Sequence, residues 1–133
     1  AIYPATRSSE LDGRVRTVLA KGGLLSGPMT ARFTQLHVGD GDVFAPALNP
    51  ADRSDEVLAG RPRTWIQTVG FDPLRAQGEE YAARLAGLGV DVRHDHEPTM
   101  AHGYLSMDGI SAGAAAVLHR AARTLGELAF EGS

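Results

Sequence analysis

An aspartate and a histidine lie in two loops where catalytic side chains commonly occur. Asp72 belongs to the segment Gly-Phe-Asp-Pro-Leu at 70–74, directly after an apolar run, and His102 is followed by Gly103 in a second loop. A carboxylate beside an imidazole is suited to moving protons. Each residue also has a structural interpretation, because an aspartate before Pro73 suits a helix N-cap and a histidine flanked by glycine is commonly a surface residue.

A second group of polar side chains has the chemistry of metal ligands. It comprises His94, Asp95, His96 and Glu97, together with His102. His94 and His96 would share one face of a strand, as a metal site could require. Alternating polar residues are also common where a strand leaves a sheet, and the chain has no cysteine to add a ligand. We therefore expect no metal site.

Three short runs rich in β-branched or aromatic residues predict the strands that position these loops. The runs are Ala1 to Tyr3, Thr64 to Val69 and Val90 to His94. In open parallel sheets the working residues gather at the carboxyl ends of the strands. We therefore expect Asp72 and His102 to meet at that edge, within about 2.6–3.2 Å of each other.

Apolar residues spaced three and four apart predict three helices. The first helix contains Leu25, Met29, Phe33 and Leu36. The second runs from Pro73 to Leu88, and the third runs from about Ser111 to Ala129, where Leu118, Ala121, Leu125 and Leu128 recur. The glycine-containing segment from Lys21 to Gly27 matches no nucleotide-binding loop and predicts a turn before the first helix. Residues 39–63 lack periodicity and predict a surface loop. Strand, helix, strand, helix from Thr64 onward predicts a parallel sheet, so the fold class is α/β.

Composition limits the classes of function. A chain of 133 residues is about one domain, and its formal charge of −3 provides no basic excess for binding nucleic acid. No apolar stretch approaches the roughly 20 residues of a membrane-spanning helix. Without cysteines the redox compartment is undecided, and a cytoplasmic location is the default expectation.

The order of these motifs resembles the hormone-sensitive-lipase-like carboxylesterases of the α/β-hydrolase fold. The matching segments are Gly70-Phe71-Asp72-Pro73-Leu74-Arg75, Gly78-Glu79-Glu80-Tyr81-Ala82-Ala83-Arg84-Leu85, Gly89-Val90 and His102-Gly103-Tyr104. Ala1 to Pro4 is similar to the strand that follows the family's nucleophile unit, and Ala45-Pro46-Ala47 is similar to its Ser-Pro-Leu segment. The resemblance covers nearly the whole chain.

The resemblance implies the C-terminal part of an α/β-hydrolase parallel sheet with flanking helices, lacking the nucleophile strand. We expect one incomplete domain over residues 1–133, with a helical and loop excursion at 5–63 and a βαβα unit at 64–133. Asp72 matches the acidic member of the catalytic triad and His102 matches its base. The family's Gly-Asp-Ser-Ala-Gly turn and His-Gly-Gly-Gly oxyanion loop have no counterpart here.

The pentapeptide Gly-Ile-Ser-Ala-Gly at 109–113 also fits the Gly-x-Ser-x-Gly pattern of a nucleophile elbow. A true elbow follows a buried strand, whereas the residues from Tyr104 to Asp108 are too few and too polar to form one. The order Asp, His, Ser also differs from the Ser, Asp, His order of this fold. We therefore interpret Ser111 as the start of the last helix.

The favoured function is carboxylic ester hydrolysis of the Ser-His-Asp type, without a cofactor. Asp72 and His102 would come from this chain, the serine from an N-terminal portion of the same hydrolase, and the substrate would be a small acyl ester. The chain alone would be nearly inactive. The alternative is a non-catalytic α/β interaction module, derived from a truncated hydrolase, that binds a partner through its sheet edge.

Overall fold

A computed structural model describes residues 1–8 and 27–130 of the chain. Its helices and strands, in chain order, are α1 (Gly27–Val38), α2 (Asp55–Ala59), β1 (Thr64–Phe71), α3 (Arg75–Gly87), β2 (Val92–Ala101) and α4 (Ala112–Phe130). Short 3₁₀ helices span Pro50–Asp52 and Tyr104–Ser106. Within the described residues, no helix is long and apolar enough to cross a membrane.

Strand β1 lies between two neighbours and is the buried centre of the sheet. It pairs in parallel with β2, from Thr64 opposite Val92 to Phe71 opposite Ala101. On its other side Ile2 forms a parallel bridge with Gln67. The predicted strand at residues 1–3 is therefore present only as an isolated bridge at Ile2 beside β1, not as a strand of the sheet. Because both neighbours are parallel to β1, all three segments end at the same edge.

Strand β2 is longer than the sequence predicted, and this is a correction. The prediction ended the strand at His94, whereas β2 continues to Ala101 through Pro98. A strand paired through one edge tolerates alternating polar residues and a proline, because its second edge needs no donors. The register shifts between Val69 and Phe71, where a Cβ on Gly70 would lie 1.9 Å from the Pro98 carbonyl oxygen. Only glycine allows this approach.

Helices α3 and α4 cover the two faces of β1. One core cluster joins Leu58, Ile66, Ala82, Leu85 and Val90, and the other joins Val69, Tyr104, Ala114 and Val117. Both predicted helices are confirmed within two residues at each end. The predicted apolar stripe of the last helix is wrong in part, because Leu125 is 52% exposed. Small residues, including Ala114 and Ala121, lie against the sheet instead, since they let the helix approach closely.

The segment at 39–63, predicted as a loop, contains a 3₁₀ helix and α2. Leu58 of α2 is fully buried and Ala51 of the 3₁₀ helix is 2% exposed, so both apolar side chains anchor the segment to the domain. The Arg84 guanidinium donates to the Ala51 carbonyl oxygen and to the Arg53 carbonyl oxygen, the latter at 3.0 Å. Five residues are too few to show helical periodicity in a sequence, which explains why α2 was missed.

The predicted helix containing Met29, Phe33 and Leu36 is confirmed as α1. Its three large apolar side chains are 43%, 56% and 62% exposed, so they form no part of the two core clusters. The turn predicted from Lys21 and the predicted helical position of Leu25 lie outside the described residues. The same is true of residues 9–26 of the expected excursion.

Candidate active site

Asp72 is held in the turn that links β1 to α3. Its Oδ1 accepts a hydrogen bond from the Leu74 N–H at 2.8 Å, and its carbonyl oxygen accepts one from the Arg75 N–H at 3.2 Å. The side chain has no exposed surface. The N-cap role expected of an aspartate before proline is wrong, because the N-cap position of α3 is Leu74. Asp72 instead stabilises the turn before the helix, and this uses only one of its two carboxylate oxygens.

The second oxygen of Asp72 contacts His102. The distance from His102 Nδ1 to Asp72 Oδ2 is 3.0 Å, and 23% of the histidine side chain is exposed. The backbone of His102 is anchored as well, since its N–H donates to the Phe71 carbonyl oxygen at 3.2 Å. Gly103 follows in the left-handed region at φ +86°, where glycine is favoured. The predicted distance between the two side chains is confirmed.

This contact determines the chemistry that His102 can perform. A carboxylate accepts hydrogen bonds only, so the proton lies on Nδ1 and the other ring nitrogen, Nε2, has a free lone pair. A buried carboxylate that holds an imidazole in this tautomer prepares Nε2 to accept a proton. This arrangement is suited to general-base chemistry.

The Tyr3 side chain lines the site and packs against His102, a contact that the sequence alone did not predict. Its ring centroid lies 4.4 Å from that of His102, at an interplanar angle of 49°. Among the described residues, Tyr3 is the non-glycine residue with a positive φ, which is +36°. Such a conformation costs of order 1–3 kcal/mol and tends to occur at functional sites. The sequence signal is weak, because neither the strain nor the ring contact follows from the tripeptide that contains Tyr3.

The Tyr3 ring packs against the ring of a second tyrosine, Tyr104. The Tyr104 ring meets Tyr3 edge-on, with centroids 5.8 Å apart at 77°. Its hydroxyl donates to Gln67 Oε1 at 2.5 Å. Burial raises the pKa of Tyr104 to about 12, and burial also raises the pKa of Tyr3, opposed by a hydrogen bond to the Leu105 backbone and assisted by the charge of Asp72. Both phenols therefore stay protonated at neutral pH.

Ser111 lies outside this pair and belongs to the cap of α4. Its hydroxyl oxygen accepts a hydrogen bond from the Ala114 N–H at 3.2 Å, and its own N–H donates to the Met107 carbonyl oxygen at 2.9 Å. The 3₁₀ helix Tyr104–Ser106 precedes it in place of a buried strand. The prediction that Ser111 starts the last helix is confirmed.

The polar residues of β2 are engaged with one another and with β1. His94 Nε2 and His96 Nδ1 lie 3.0 Å and 2.9 Å from Thr68 Oγ1, which places both rings on one face as predicted. Asp95 accepts from the Trp65 indole at 2.9 Å. Within residues 1–8 and 27–130, no three histidine, aspartate or glutamate side chains form a group that could hold a metal ion.

Comparison with known proteins gives one family and a set of esterases. A family model described as the alpha/beta hydrolase fold matches residues 1–106. Two Mycobacterium tuberculosis proteins are similar: Esterase LipI, 35% identical over 80 residues, and Carboxylic ester hydrolase LipN, 39% identical over 119 residues. These alignments cover 60% and 86% of this chain, but only 25% and 30% of the two relatives.

Solved structures give the same result. Carboxyl esterase 2 from Tuber melanosporum superposes with a TM-score of 0.71 at 31% identity, covering 88% of this chain and 39% of that protein. A hyperthermophilic esterase from Pyrobaculum calidifontis has a TM-score of 0.78 at 23% identity, covering 96% of this chain and 42% of that protein. The second likeness shows the fold alone. The chain spans about a quarter to two fifths of the length of these proteins.

Proposed function

The chain belongs to the alpha/beta hydrolase fold family, and we propose that it supplies the histidine and aspartate of a carboxylesterase active site. The relatives that it matches are named as ester hydrolases. The observation that carries the proposal is the 3.0 Å contact between His102 Nδ1 and the enclosed Asp72 carboxylate. Parallel strands bring both residues to one sheet edge, where enzymes with such sheets place their chemistry.

In the proposed reaction His102 acts first as a base and then as an acid. Its Nε2 takes the proton from a serine hydroxyl while the serine oxygen bonds to the ester carbonyl carbon. The same proton passes to the alcohol oxygen as the bond between that oxygen and the acyl carbon breaks. A water molecule, deprotonated by His102, then bonds to the acyl carbon, and the bond from that carbon to the serine oxygen breaks. The proton on His102 passes to the serine oxygen, so that the acid is released and the serine is restored. Asp72 remains ionised throughout and stabilises the imidazolium that forms twice.

The serine is proposed to lie on an N-terminal portion of the same hydrolase that packs beside the segment Ala1 to Tyr3. On the side facing β1, this segment is already paired, because Tyr3 N–H donates to the Gln67 carbonyl oxygen at 2.7 Å and Gln67 N–H donates to the Ala1 carbonyl oxygen at 2.9 Å. Its second side is where a further parallel strand would bring a nucleophile close to His102. The substrate is proposed to be a small acyl ester, and the chain alone is proposed to be inactive.

The test is a comparison of the chain with and without the upstream polypeptide, using p-nitrophenyl esters of short acids. We expect turnover only when both parts are present, and a loss of about 10³-fold or more in kcat for His102→Ala. His119→Ala is the matched control, because His119 is exposed on α4 and makes no contact with Asp72. Turnover by the chain alone at ordinary enzyme rates, or equal effects of the two substitutions, would contradict the proposal.

A second candidate is an interaction module without catalysis, favoured by the exposed apolar side chains Phe33 and Leu36 of α1. Exposed apolar groups on a small domain commonly mark a contact surface. This candidate predicts that the upstream polypeptide binds the chain with no gain of esterase activity. Measuring both esterase activity and binding as the upstream polypeptide is added to the chain therefore separates the two functions.

A further inference from the structure

We propose that Tyr3 is a positioning residue that holds the His102 imidazole against Asp72. This inference rests on the proposed function, since it assigns Tyr3 a role at the same site. The imidazole has the Asp72 carboxylate at one ring nitrogen and the Tyr3 ring against one face, with centroids 4.4 Å apart. A rotation of the imidazole away from Asp72 would break the first contact and open the second.

Tyr3 can hold the imidazole in place because its own backbone and side chain are both fixed. Its N–H donates to the Gln67 carbonyl oxygen at 2.7 Å, which ties its backbone to the central strand β1. Its side chain packs against the core cluster that contains Tyr104, in the turn after β2 that follows His102. The phenol thus spans the gap between the first segment of the sheet and the turn after β2.

Gln67 links the two tyrosines into one support. Its main chain binds Tyr3, and its Oε1, at the end of a buried side chain, accepts the Tyr104 hydroxyl. The Tyr104 ring then packs edge-on against Tyr3, an arrangement favoured by the charge distribution of aromatic rings. Displacing the Tyr3 ring would therefore disturb β1 and the turn at 104–106 together.

The backbone of Tyr3 is the independent observation that points to a role beyond packing. Its φ of +36° is a conformation that tyrosine avoids, and it lies at the end of the segment nearest to His102. Strain of this kind persists where the surrounding contacts over-determine it, as at active sites.

The experiment follows the His102 Nδ1–H proton by ¹H–¹⁵N NMR of the 133-residue chain, a measurement that does not depend on esterase activity. We expect a resolved, slowly exchanging signal in the native chain and in Tyr3→Phe, which keeps the ring. In Tyr3→Leu, which removes it, the signal should broaden and exchange at least tenfold faster. Tyr81→Leu is the matched control, since Tyr81 packs against the other core cluster and should leave the signal unchanged.

The kinetic arm uses the same variants in the presence of the upstream polypeptide. Tyr3→Leu should lower kcat about tenfold with KM changed by less than twofold, and Tyr3→Phe should stay within about threefold of the native kcat. A native-like Nδ1–H signal in Tyr3→Leu, equal losses in Tyr3→Phe and Tyr3→Leu, or an equal loss in Tyr81→Leu would overturn the inference. Absence of turnover in every form would refute the proposed function, while the NMR result would still decide the role of Tyr3.

Discussion

The substitution Asp72→Asn is the sharpest test of the Asp72–His102 pair, because the structure dictates how the new amide must lie. Asp72 Oδ1 accepts the Leu74 N–H at 2.8 Å, and a donor N–H can be satisfied only by the amide oxygen. The amide NH₂ must then take the position of Oδ2, facing His102 Nδ1 at about 3.0 Å. Two donors cannot share that contact, so the imidazole proton moves to Nε2.

The expected loss of activity follows from this change of tautomer. With its proton on Nε2, His102 has its lone pair on Nδ1, facing the amide, and none on the nitrogen that would accept the serine proton, although every heavy atom remains in place. Such a substitution in a serine hydrolase lowers kcat by about 10⁴-fold, equivalent to about 5 kcal/mol of transition-state stabilisation. Stability should change little, because the hydrogen bond to Leu74 is retained. Asp72→Ala removes that bond as well and should cost about 1 kcal/mol more in unfolding free energy.

The assay measures kcat on p-nitrophenyl acetate with the upstream polypeptide present, together with thermal unfolding followed by circular dichroism. Asp52→Asn is the matched control. Asp52 is half-exposed and pairs with Arg7 at 2.7 Å on the surface, where such pairs contribute about 0–1 kcal/mol and no catalysis. The reasoning is refuted if Asp72→Asn keeps more than a tenth of the native kcat, or if Asp52→Asn loses as much.

Three further predictions follow from the packing around the site. Ser111→Ala should cost about 1 kcal/mol of unfolding free energy through loss of its cap, and a fluorophosphonate should leave Ser111 unlabelled in peptide mapping, because it serves the helix and not the reaction. Gly70→Ala should lower the melting temperature measurably, since overpacking costs about 1–3 kcal/mol, while Gly126→Ala, with no atom near its added Cβ, should raise it. Since the folded pKa of Tyr104 is about 12 against an ordinary 10.0, the contribution of this group to stability should be constant below about pH 10, and chemical denaturation should show a decline in stability from about pH 10 toward pH 12. Tyr104→Phe should reduce this decline and leave the part due to Tyr3, whose pKa burial also raises, at a cost of about 1–3 kcal/mol for the buried Gln67 acceptor left unpaired.

The contact between Asp72 and His102 could be predicted from the sequence because topology alone imposes it. Each residue follows a run of strand-forming residues, and two parallel neighbouring strands must end at the same edge. No side-chain detail was needed for that step. The α/β class followed in the same way, from the alternation of strand and helix patterns that lie close together along the chain.

The predictions that were wrong or missing depend on contacts between residues far apart in sequence. β2 extends past His94 because its polar side chains find partners, such as Arg120 for Glu97 at 2.9 Å, which no local pattern displays. Helix α2 exists because Leu58 fills a space beside Ile66. The strained backbone of Tyr3 depends on contacts with β1 and the loop after β2. In each case the tertiary environment outweighed local propensity.

The division between these two groups explains how this chain can form the Asp72–His102 contact, two of the three members of the proposed triad, from its own residues. The Asp72–His102 pair requires only β1, β2 and their following turns, and the described residues contain all of these. The proposed support for the imidazole adds the segment that contains Tyr3, which is parallel to β1, and the Tyr104 ring that packs against Tyr3. Both also lie within the described residues. Under the proposed function, the imidazole is thereby oriented by residues of this chain, and an upstream polypeptide would supply the serine and the donors that stabilise the oxyanion.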